Sequence, residues 1–171
     1  FLIPGIFLTA YQTSSLFNKR VDLAVLELIS YEPSTISDIN LSSTGERILF
    51  ATNSWEIIQE HPLFGVGTGD LPLEYKKIHQ INTPNAPVDN NPHNMYILIL
   101  VQLGAVGLVS MLSIFYYQIK ISFSEKNILF RNLGITLPLL FLLIMWSDSY
   151  LLGHYTTLLY VYFSSFIYAR L

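Results

Sequence analysis

Residues 43–98 read STGERILFATNSWEIIQEHPLFGVGTGDLPLEYKKIHQINTPNAPVDNNPHNMYIL, and this stretch decides the fold class of the chain. Its polar part is punctuated by prolines and glycines and carries Arg47 near the start of a predicted helix. It ends at His93, and an apolar run long enough to cross a bilayer follows directly. A cationic arginine and a titratable histidine at a membrane face indicate chemistry on an anionic substrate that is itself anchored in the membrane.

The composition is typical of a membrane protein. Of the 171 residues, 51% are hydrophobic and 14% aromatic, while only 12% are charged. Soluble domains average about a quarter charged residues. The net charge of −3 gives no basic field for nucleic acid. The chain has no cysteine, which excludes disulfides and thiolate metal sites.

Hydropathy predicts an all-α chain with one partial and three complete membrane spans. Residues 1–17 resemble the exit end of a transmembrane helix, and residues 18–92 form a large extramembrane loop with two or three helices. Residues 93–171 carry the three complete spans, at 95–119, about 128–146 and about 151–169. We interpret the chain as the C-terminal part of a longer polytopic protein, because it begins inside an apolar run without features of a signal peptide.

The charges between the spans predict the orientation. The uncharged segment Met95–Ile119 exceeds the ~20 residues that a hydrocarbon core requires. Lys120, Lys126 and Arg131 form a short basic connection after it, which the positive-inside rule assigns to the cytoplasm. The loop 18–92 is therefore expected outside the cytoplasm.

Local signals place helices within that loop. VDLAVLELI favours a short amphipathic helix, and Ser43 with Glu46 fits a capping box. The helix that begins there is expected to run to about Glu60 and stop before Pro62, with apolar residues at helical spacing at 48, 51, 55 and 58. Asp70 is a candidate N-cap for a helix containing LEYKKIH.

His93 lies in Asn90-Asn91-Pro92-His93-Asn94, where Pro92 can begin a helix. A helix N-terminus disfavours imidazolium and thus keeps the ring able to accept a proton. The alternative interpretation is that His93 and Asn94 only cap the membrane helix.

Two further groups are candidates for binding an anion. The guanidinium of Arg47 can bind phosphate oxygens with two parallel hydrogen bonds, although it could instead pair with Glu46 as a solvated helix charge. The run Gly65-Val66-Gly67-Thr68-Gly69 could offer backbone N–H groups. It lacks the features of a Walker or dinucleotide loop, so a turn that fixes helix packing is the alternative.

The remaining ionisable residues favour structural roles. His61 suits a helix C-terminus, and His79 with Lys76 and Lys77 suits a solvated helix face. Asp148 and His154 lie in the turn between the last two spans, where hydration is the simpler interpretation, although ionisable groups near a span are functional candidates. No metal-ligand pattern stands out in the sequence.

The joint pattern resembles the O-antigen ligase/polymerase family. It comprises Arg47, then Trp55 and Ile58, then His61-Pro62-Leu63 with glycines at 65, 67 and 69, and finally His93-Asn94 before a membrane helix with Gly104 and Gly107. The similarity covers roughly residues 45–119, and the flanking spans agree with the family by topology.

The resemblance implies a multi-pass protein of the bacterial inner membrane with a catalytic loop in the periplasm. Such enzymes move a glycan from undecaprenyl diphosphate to an acceptor hydroxyl, in lipopolysaccharide biosynthesis to lipid A-core, and they use no metal or other cofactor. By the same resemblance, His93 is the expected general base and Arg47 the diphosphate ligand, with Asn94, Gly65, Gly67 and Gly69 as substrate-binding candidates. The family also includes O-antigen polymerases and protein O-oligosaccharyltransferases.

An interpretation from another functional class stays open. The segment could belong to a membrane transporter or a non-catalytic scaffold, with the polar loop as a lid and His93 as a helix cap. Such proteins typically place paired ionisable residues at mid-bilayer depth, and these spans carry none away from their ends.

Overall fold

A computed structural model of the chain describes residues 2–29, 43–82, 84 and 91–169. Within these ranges the chain forms seven helices and no strand, as the sequence predicts. In order they are α1 Leu2–Thr13, α2 Ser15–Ile29, α3 Ser43–Glu60, α4 Leu71–Asn82, α5 Met95–Ser122, α6 Ile128–Ile144 and α7 His154–Tyr168. Successive helices pack as α1–α2, α2–α3, α3–α4, α5–α6 and α6–α7, and α3 also packs on α5.

Helix α3 has the bounds that the sequence predicts. It ends at Glu60 because Pro62, two residues later, cannot donate a backbone hydrogen bond. The predicted capping box depends on the Ser43 side chain, which lies outside the described side chains. The buried face of α3 carries Leu49, Phe50 and Ile57, whereas Trp55 of the predicted apolar stripe is 57% exposed.

The first two helices differ from the prediction of one span end followed by a short amphipathic helix. Helix α1 stops at Thr13, and α2 begins at Ser15, well before VDLAVLELI. Ser14 separates them because its hydroxyl accepts a hydrogen bond from the Phe17 N–H at 3.3 Å. The Tyr11 hydroxyl donates to Asp22 at 2.6 Å and so ties the two helices together.

Helix α5 is interrupted at Gly104, where φ is 65° and ψ is −163°. The loop after α3 occupies this break and replaces the missing helical hydrogen bonds. The Val66 and Gly67 N–H groups donate to the Val101 and Gln102 carbonyls at 2.9 and 2.8 Å. In return, the Ala105 and Val106 N–H groups donate to the Pro62 and Leu63 carbonyls at 2.9 and 3.2 Å.

Glycine is required on both sides of this contact. A Cβ on Gly104 would lie 2.3 Å from the Leu63 carbonyl carbon, and a Cβ on Gly65 would lie 2.4 Å from that of Gln102. Both glycines also have positive φ values, which other residues adopt at a cost. In the sequence, Gly104, Gly107 and Ser110 form a ridge of small residues at which another helix could approach closely. At Gly104 the approaching element is instead the backbone of the 62–67 loop.

Among the described helices, α5, with 28 residues, is the one that is long and apolar enough to cross a membrane. Helix α6 is apolar but has 17 residues, and α7 has 15. At 1.5 Å per residue, these two helices are shorter than a hydrocarbon core of about 30 Å. The expected number of spans and the expected orientation therefore stay predictions.

The α5–α6–α7 side of the molecule is joined by buried side chains and by tyrosine hydroxyls. Phe115, Phe141 and Met145 belong to its core. The Tyr160 hydroxyl donates to the Gln118 Oε1 at 2.7 Å, and the Tyr168 hydroxyl donates to the Gly134 carbonyl at 2.6 Å. These bonds hold α7 against α5 and α6.

Replacing Gly104 with alanine is expected to destabilise the protein, because the new Cβ meets the Leu63 backbone and the positive φ becomes strained. The strain alone corresponds to about 1–3 kcal/mol. The measurement is the thermal unfolding midpoint of the purified protein in detergent. Gly69→Ala is the matched control, because a Cβ there meets no atom within 4 Å. Equal midpoints for the two variants would contradict the proposed close contact.

Candidate functional site

His93 has an unusual backbone conformation one residue before the cap of α5. Its φ of 47° lies in the left-handed region. Among the residues that the structure describes, no other non-glycine residue has a positive φ. Histidine visits this region more readily than most residues, but the conformation still costs energy. The Asn91 Oδ1 accepts the His93 N–H at 3.1 Å and stabilises it. Strained residues of this kind cluster at functional sites.

The imidazole of His93 contacts a carboxylate that is remote in sequence. Its Nδ1 lies 3.2 Å from the Asp148 Oδ1, and the two side chains are 36% and 40% exposed. The Ser149 N–H donates to the same Asp148 oxygen at 2.7 Å, and the Ser149 hydroxyl donates to the Asn91 Oδ1 at 2.8 Å. Asn91, His93, Asp148 and Ser149 thus form one hydrogen-bonded cluster, which we call the histidine cluster.

Three contacts hold the start of α5 against the end of α6 and so position the histidine cluster. The Met95 N–H donates to the Met145 carbonyl at 2.9 Å, and the Asn94 Nδ2 donates to the Trp146 carbonyl at 3.1 Å. About one turn earlier in α6, the Leu142 carbonyl accepts a hydrogen bond from the Tyr96 hydroxyl at 2.6 Å. Asp148 follows two residues after Trp146, and this brings its carboxylate to the His93 ring.

The geometry assigns the two ring nitrogens different roles. A carboxylate accepts hydrogen bonds, so Asp148 favours the tautomer that carries its proton on Nδ1. The Nε2 is then the nitrogen with a lone pair that can take a proton. Once the ring is protonated, the same carboxylate stabilises the imidazolium, as in the Ser-His-Asp arrangement of proteases. The histidine cluster can therefore perform general-base chemistry.

Asn94, predicted to bind substrate, is the N-cap of α5. Its Oδ1 accepts from the Tyr96 and Ile97 N–H groups at 3.0 and 3.1 Å, while its Nδ2 contacts α6 as described above. The alternative interpretation is that His93 and Asn94 cap the helix. Of these two residues, Asn94 is the cap, and the helix begins at Met95. A contact between Asn94 and substrate stays a prediction.

Arg47 lies exposed near the start of α3. Among the residues that the structure describes, it forms no ion pair with Glu46 and no hydrogen bond with His93. Beside α3 lies an apolar groove of about 680 Å³, lined mainly by Ile48, Ala51, Trp55, Ile58, Ile97 and Leu100. Arg47 immediately precedes the first of these residues in the chain, and Ala51 follows it one helical turn later.

The glycine run has partners within the protein. The Gly65 N–H donates to the His61 carbonyl at 3.1 Å, and the Gly67 N–H donates to the Gln102 carbonyl. The Gly65 N–H is therefore paired within the loop and the Gly67 N–H in the contact with α5, which favours the packing interpretation of the run. Around Gly69 a side chain would meet open space. Substrate binding by Gly65, Gly67 and Gly69 stays a prediction.

The other histidines do not join the histidine cluster. His79 is only 2% exposed and stacks on Tyr75 at 6.0 Å between ring centroids, so its prediction as part of a solvated face is wrong. The physical reason is that Tyr75 and His79 share one face of α4, which packs against α3. His154 is exposed at the first residue of α7. No group of three or more histidine or acidic residues within the described ranges could hold a metal ion.

Sequence reasoning did not find the pairing of His93 with Asp148. It identified both residues at the ends of membrane helices, but 55 positions separate them. The signal that could have joined them is the predicted antiparallel arrangement of the spans, which returns the α6–α7 turn to the side on which α5 begins.

The sequence model of one protein family, described as O-antigen ligase, matches residues 2–112 of this chain. The match includes α1 to α4, Arg47 and His93, and it ends within α5. Asp148 therefore lies beyond the matched residues. No curated protein matches the chain.

Proposed function

This chain belongs to the O-antigen ligase family, and we propose that it transfers a glycan from undecaprenyl diphosphate to an acceptor hydroxyl. The observation that carries this proposal is the histidine cluster, in which a strained histidine is backed by a carboxylate at the start of a membrane-type helix. Acceptor hydroxyls are weak nucleophiles, and a positioned base accelerates their reactions.

In the proposed reaction, the acceptor oxygen attacks the anomeric carbon of the donor glycan while its proton passes to the Nε2 of His93. The bond from the anomeric carbon to the diphosphate oxygen breaks, and undecaprenyl diphosphate leaves with the bonding electrons. A single displacement of this kind inverts the anomeric centre and needs no covalent enzyme intermediate. It is proposed to proceed without a metal or other cofactor.

Asp148 is proposed as a positioning residue that acts through His93. Its Oδ1 orients the imidazole through Nδ1, and its charge stabilises the imidazolium that forms as the proton is taken. The Ser149 N–H holds the carboxylate in turn. This role extends the family-based expectation to a residue outside the matched part of the chain.

Arg47 is proposed to bind the diphosphate of the donor. Two observations support this role: its exposure without a carboxylate partner in the described residues, and its place beside the apolar groove of α3. A lipid diphosphate has an anionic head and an apolar chain. The arginine and the apolar groove offer a cation and an apolar surface for these two parts. An arginine aimed at the leaving diphosphate stabilises the charge that develops in the transition state.

Lipid A-core is the proposed acceptor, with a growing glycan or a protein hydroxyl as the alternatives within the family. The protein is proposed to be a multi-pass protein of the bacterial inner membrane, with residues 18–92 as the periplasmic catalytic loop. Transfer assays with the three acceptor classes in the full-length protein distinguish the alternatives.

Replacing His93 with asparagine should lower glycan transfer by about 10²–10⁴-fold, the usual contribution of a general base. Asparagine tolerates the left-handed backbone, so this variant removes the base with little added strain. His93→Gln and His93→Ala should be similarly inactive, with added backbone strain. The measurement is transfer from purified lipid-diphosphate glycan in the presence of chelator, with accumulation in the membrane as the control. Wild-type transfer by His93→Asn or His93→Gln would remove the base role, and wild-type transfer that is lost on chelation would replace the metal-free mechanism.

Replacing Asp148 with asparagine should lower kcat by about 10- to 100-fold, because a hydrogen bond to a charged group contributes about 1.5–3 kcal/mol. The KM for the donor should change little, since the affected interaction strengthens in the transition state. Glu60→Gln, at an exposed carboxylate at the end of α3, is the matched control. A rise in KM at unchanged kcat would contradict the positioning role.

Replacing Arg47 with lysine should weaken donor binding and transfer by about tenfold or more, because lysine keeps the charge but loses the two parallel hydrogen bonds. Arg47→Ala should be more severe. The measurement is the KM for the lipid-diphosphate donor, with Arg20→Lys on the exposed face of α2 as control. Donor binding and transfer at wild-type levels in Arg47→Ala would mark the residue as an ordinary surface charge.

A further inference from the structure

A cavity of about 420 Å³ lies at the loop between α6 and α7, within the size range of small-molecule sites. Its lining includes Asn91 and Asp148 of the histidine cluster together with Tyr150 and Tyr155. The cavity therefore shares three residues with the cluster, because Ser149 also lines it, and Asp148 connects it to the His93 ring.

One edge of this cavity is polar. Asp148 accepts two hydrogen bonds from the described residues, one from His93 and one from the Ser149 N–H. Both are accepted by the same oxygen, Oδ1. Its side chain is 40% exposed, and the second carboxylate oxygen has capacity to accept hydrogen bonds from a ligand. Hydroxyl groups are suitable donors for this oxygen.

The lining also contains an exposed aromatic side chain. Tyr155, in the first turn of α7, is 89% exposed, although an aromatic ring of this size normally buries much of its surface. A pyranose ring presents an apolar face of C–H groups and an edge of hydroxyl groups. An exposed tyrosine and a carboxylate in the lining of one cavity match both of these surfaces.

The charge of the described lining disfavours an anionic ligand. Among the described residues that line the cavity, Asp148 is the charged side chain, and neither lysine nor arginine contributes. A diphosphate or a phosphorylated sugar would meet a carboxylate without a compensating cation, which disfavours it by repulsion and by desolvation. The donor diphosphate is thus expected to bind outside this cavity, which agrees with its proposed ligand Arg47 on α3.

We propose that this cavity binds the neutral terminal sugar of the acceptor and presents one of its hydroxyls to His93. The proposal rests on the proposed function and adds to it a subsite, a chemical class of acceptor and a basis for selection. Asp148 then has two roles, with one oxygen on the His93 ring and the other on the acceptor sugar.

The test uses the full-length protein in lipid nanodiscs, with a lipid-diphosphate glycan as donor and lipid A-core ending in a neutral hexose as acceptor. Tyr155→Ala should raise the acceptor KM by about 3- to 10-fold, in line with the contribution of an aromatic contact, and leave the donor KM unchanged. Tyr155→Trp should retain the wild-type KM. Tyr162→Ala is the control, because Tyr162 is a similarly exposed tyrosine on α7 that does not line the cavity.

Tyr155→Leu separates sugar binding from anchoring at the membrane interface. Leucine keeps an apolar anchor but has no aromatic face, so the proposal expects a KM close to that of Tyr155→Ala. A wild-type acceptor KM in Tyr155→Leu, or a raised donor KM in Tyr155→Ala, would overturn the proposal. So would a preference of the wild type for an acceptor whose terminal hexose is phosphorylated.

The two levels of the proposal fail in different ways. If the wild-type protein transfers no glycan to any of the three acceptor classes, the proposed function is wrong and the subsite falls with it. If the wild type transfers glycan to lipid A-core and Tyr155→Ala does so with an unchanged acceptor KM, the subsite alone is wrong.

Discussion

The docking of the 62–67 loop into the break of α5 is the contact on which the other parts of the structure depend. A helix interrupted in an apolar environment exposes carbonyl and N–H groups that cost several kcal/mol each if they remain unpaired. Here the loop accepts two hydrogen bonds and donates two, so two carbonyl and two N–H groups at the break are paired. The same contact fixes α3 against α5. It therefore determines where the groove of α3 and Arg47 lie relative to the helix that begins after His93.

Discontinuous membrane helices often use their free ends to bind ions or substrates. In this chain the ends created at Gly104 are occupied by the protein itself, and the proposed chemistry lies at the start of α5 instead. There the constraint is of a different kind, because the backbone of His93 is held in a left-handed conformation by Asn91 while its ring is held by Asp148. The first restraint acts on the backbone of His93 and the second on its ring, and together they leave the position of the imidazole little freedom.

Much of this arrangement could be predicted from local sequence signals. The bounds of α3 follow from Pro62, and the apolar run after Asn94 predicts α5 directly. The family resemblance rests on spaced residues such as Arg47, Gly65 and His93, and the match over residues 2–112 confirms it. The break at Gly104 could not be predicted, because its energy is compensated by a loop about 40 residues earlier. For the same reason the pairing of His93 with Asp148 was missed, since it depends on how α6 packs against α5. The burial of His79 likewise depends on α3, although His79 continues the face of α4 that Leu71 and Tyr75 form at helical spacing.

The length of α5 also determines the depth of the histidine relative to a lipid bilayer. At 1.5 Å per residue its 28 residues have an upper limit of about 42 Å in length, which the kink at Gly104 reduces. This upper limit exceeds the hydrocarbon core of about 30 Å. When such a helix crosses the membrane, the residue before its N-cap is held in the headgroup layer. The phosphates of a membrane-anchored carrier occupy that same layer. The proposed lipid-linked donor would therefore reach His93 by lateral diffusion, without withdrawing its lipid chain from the membrane.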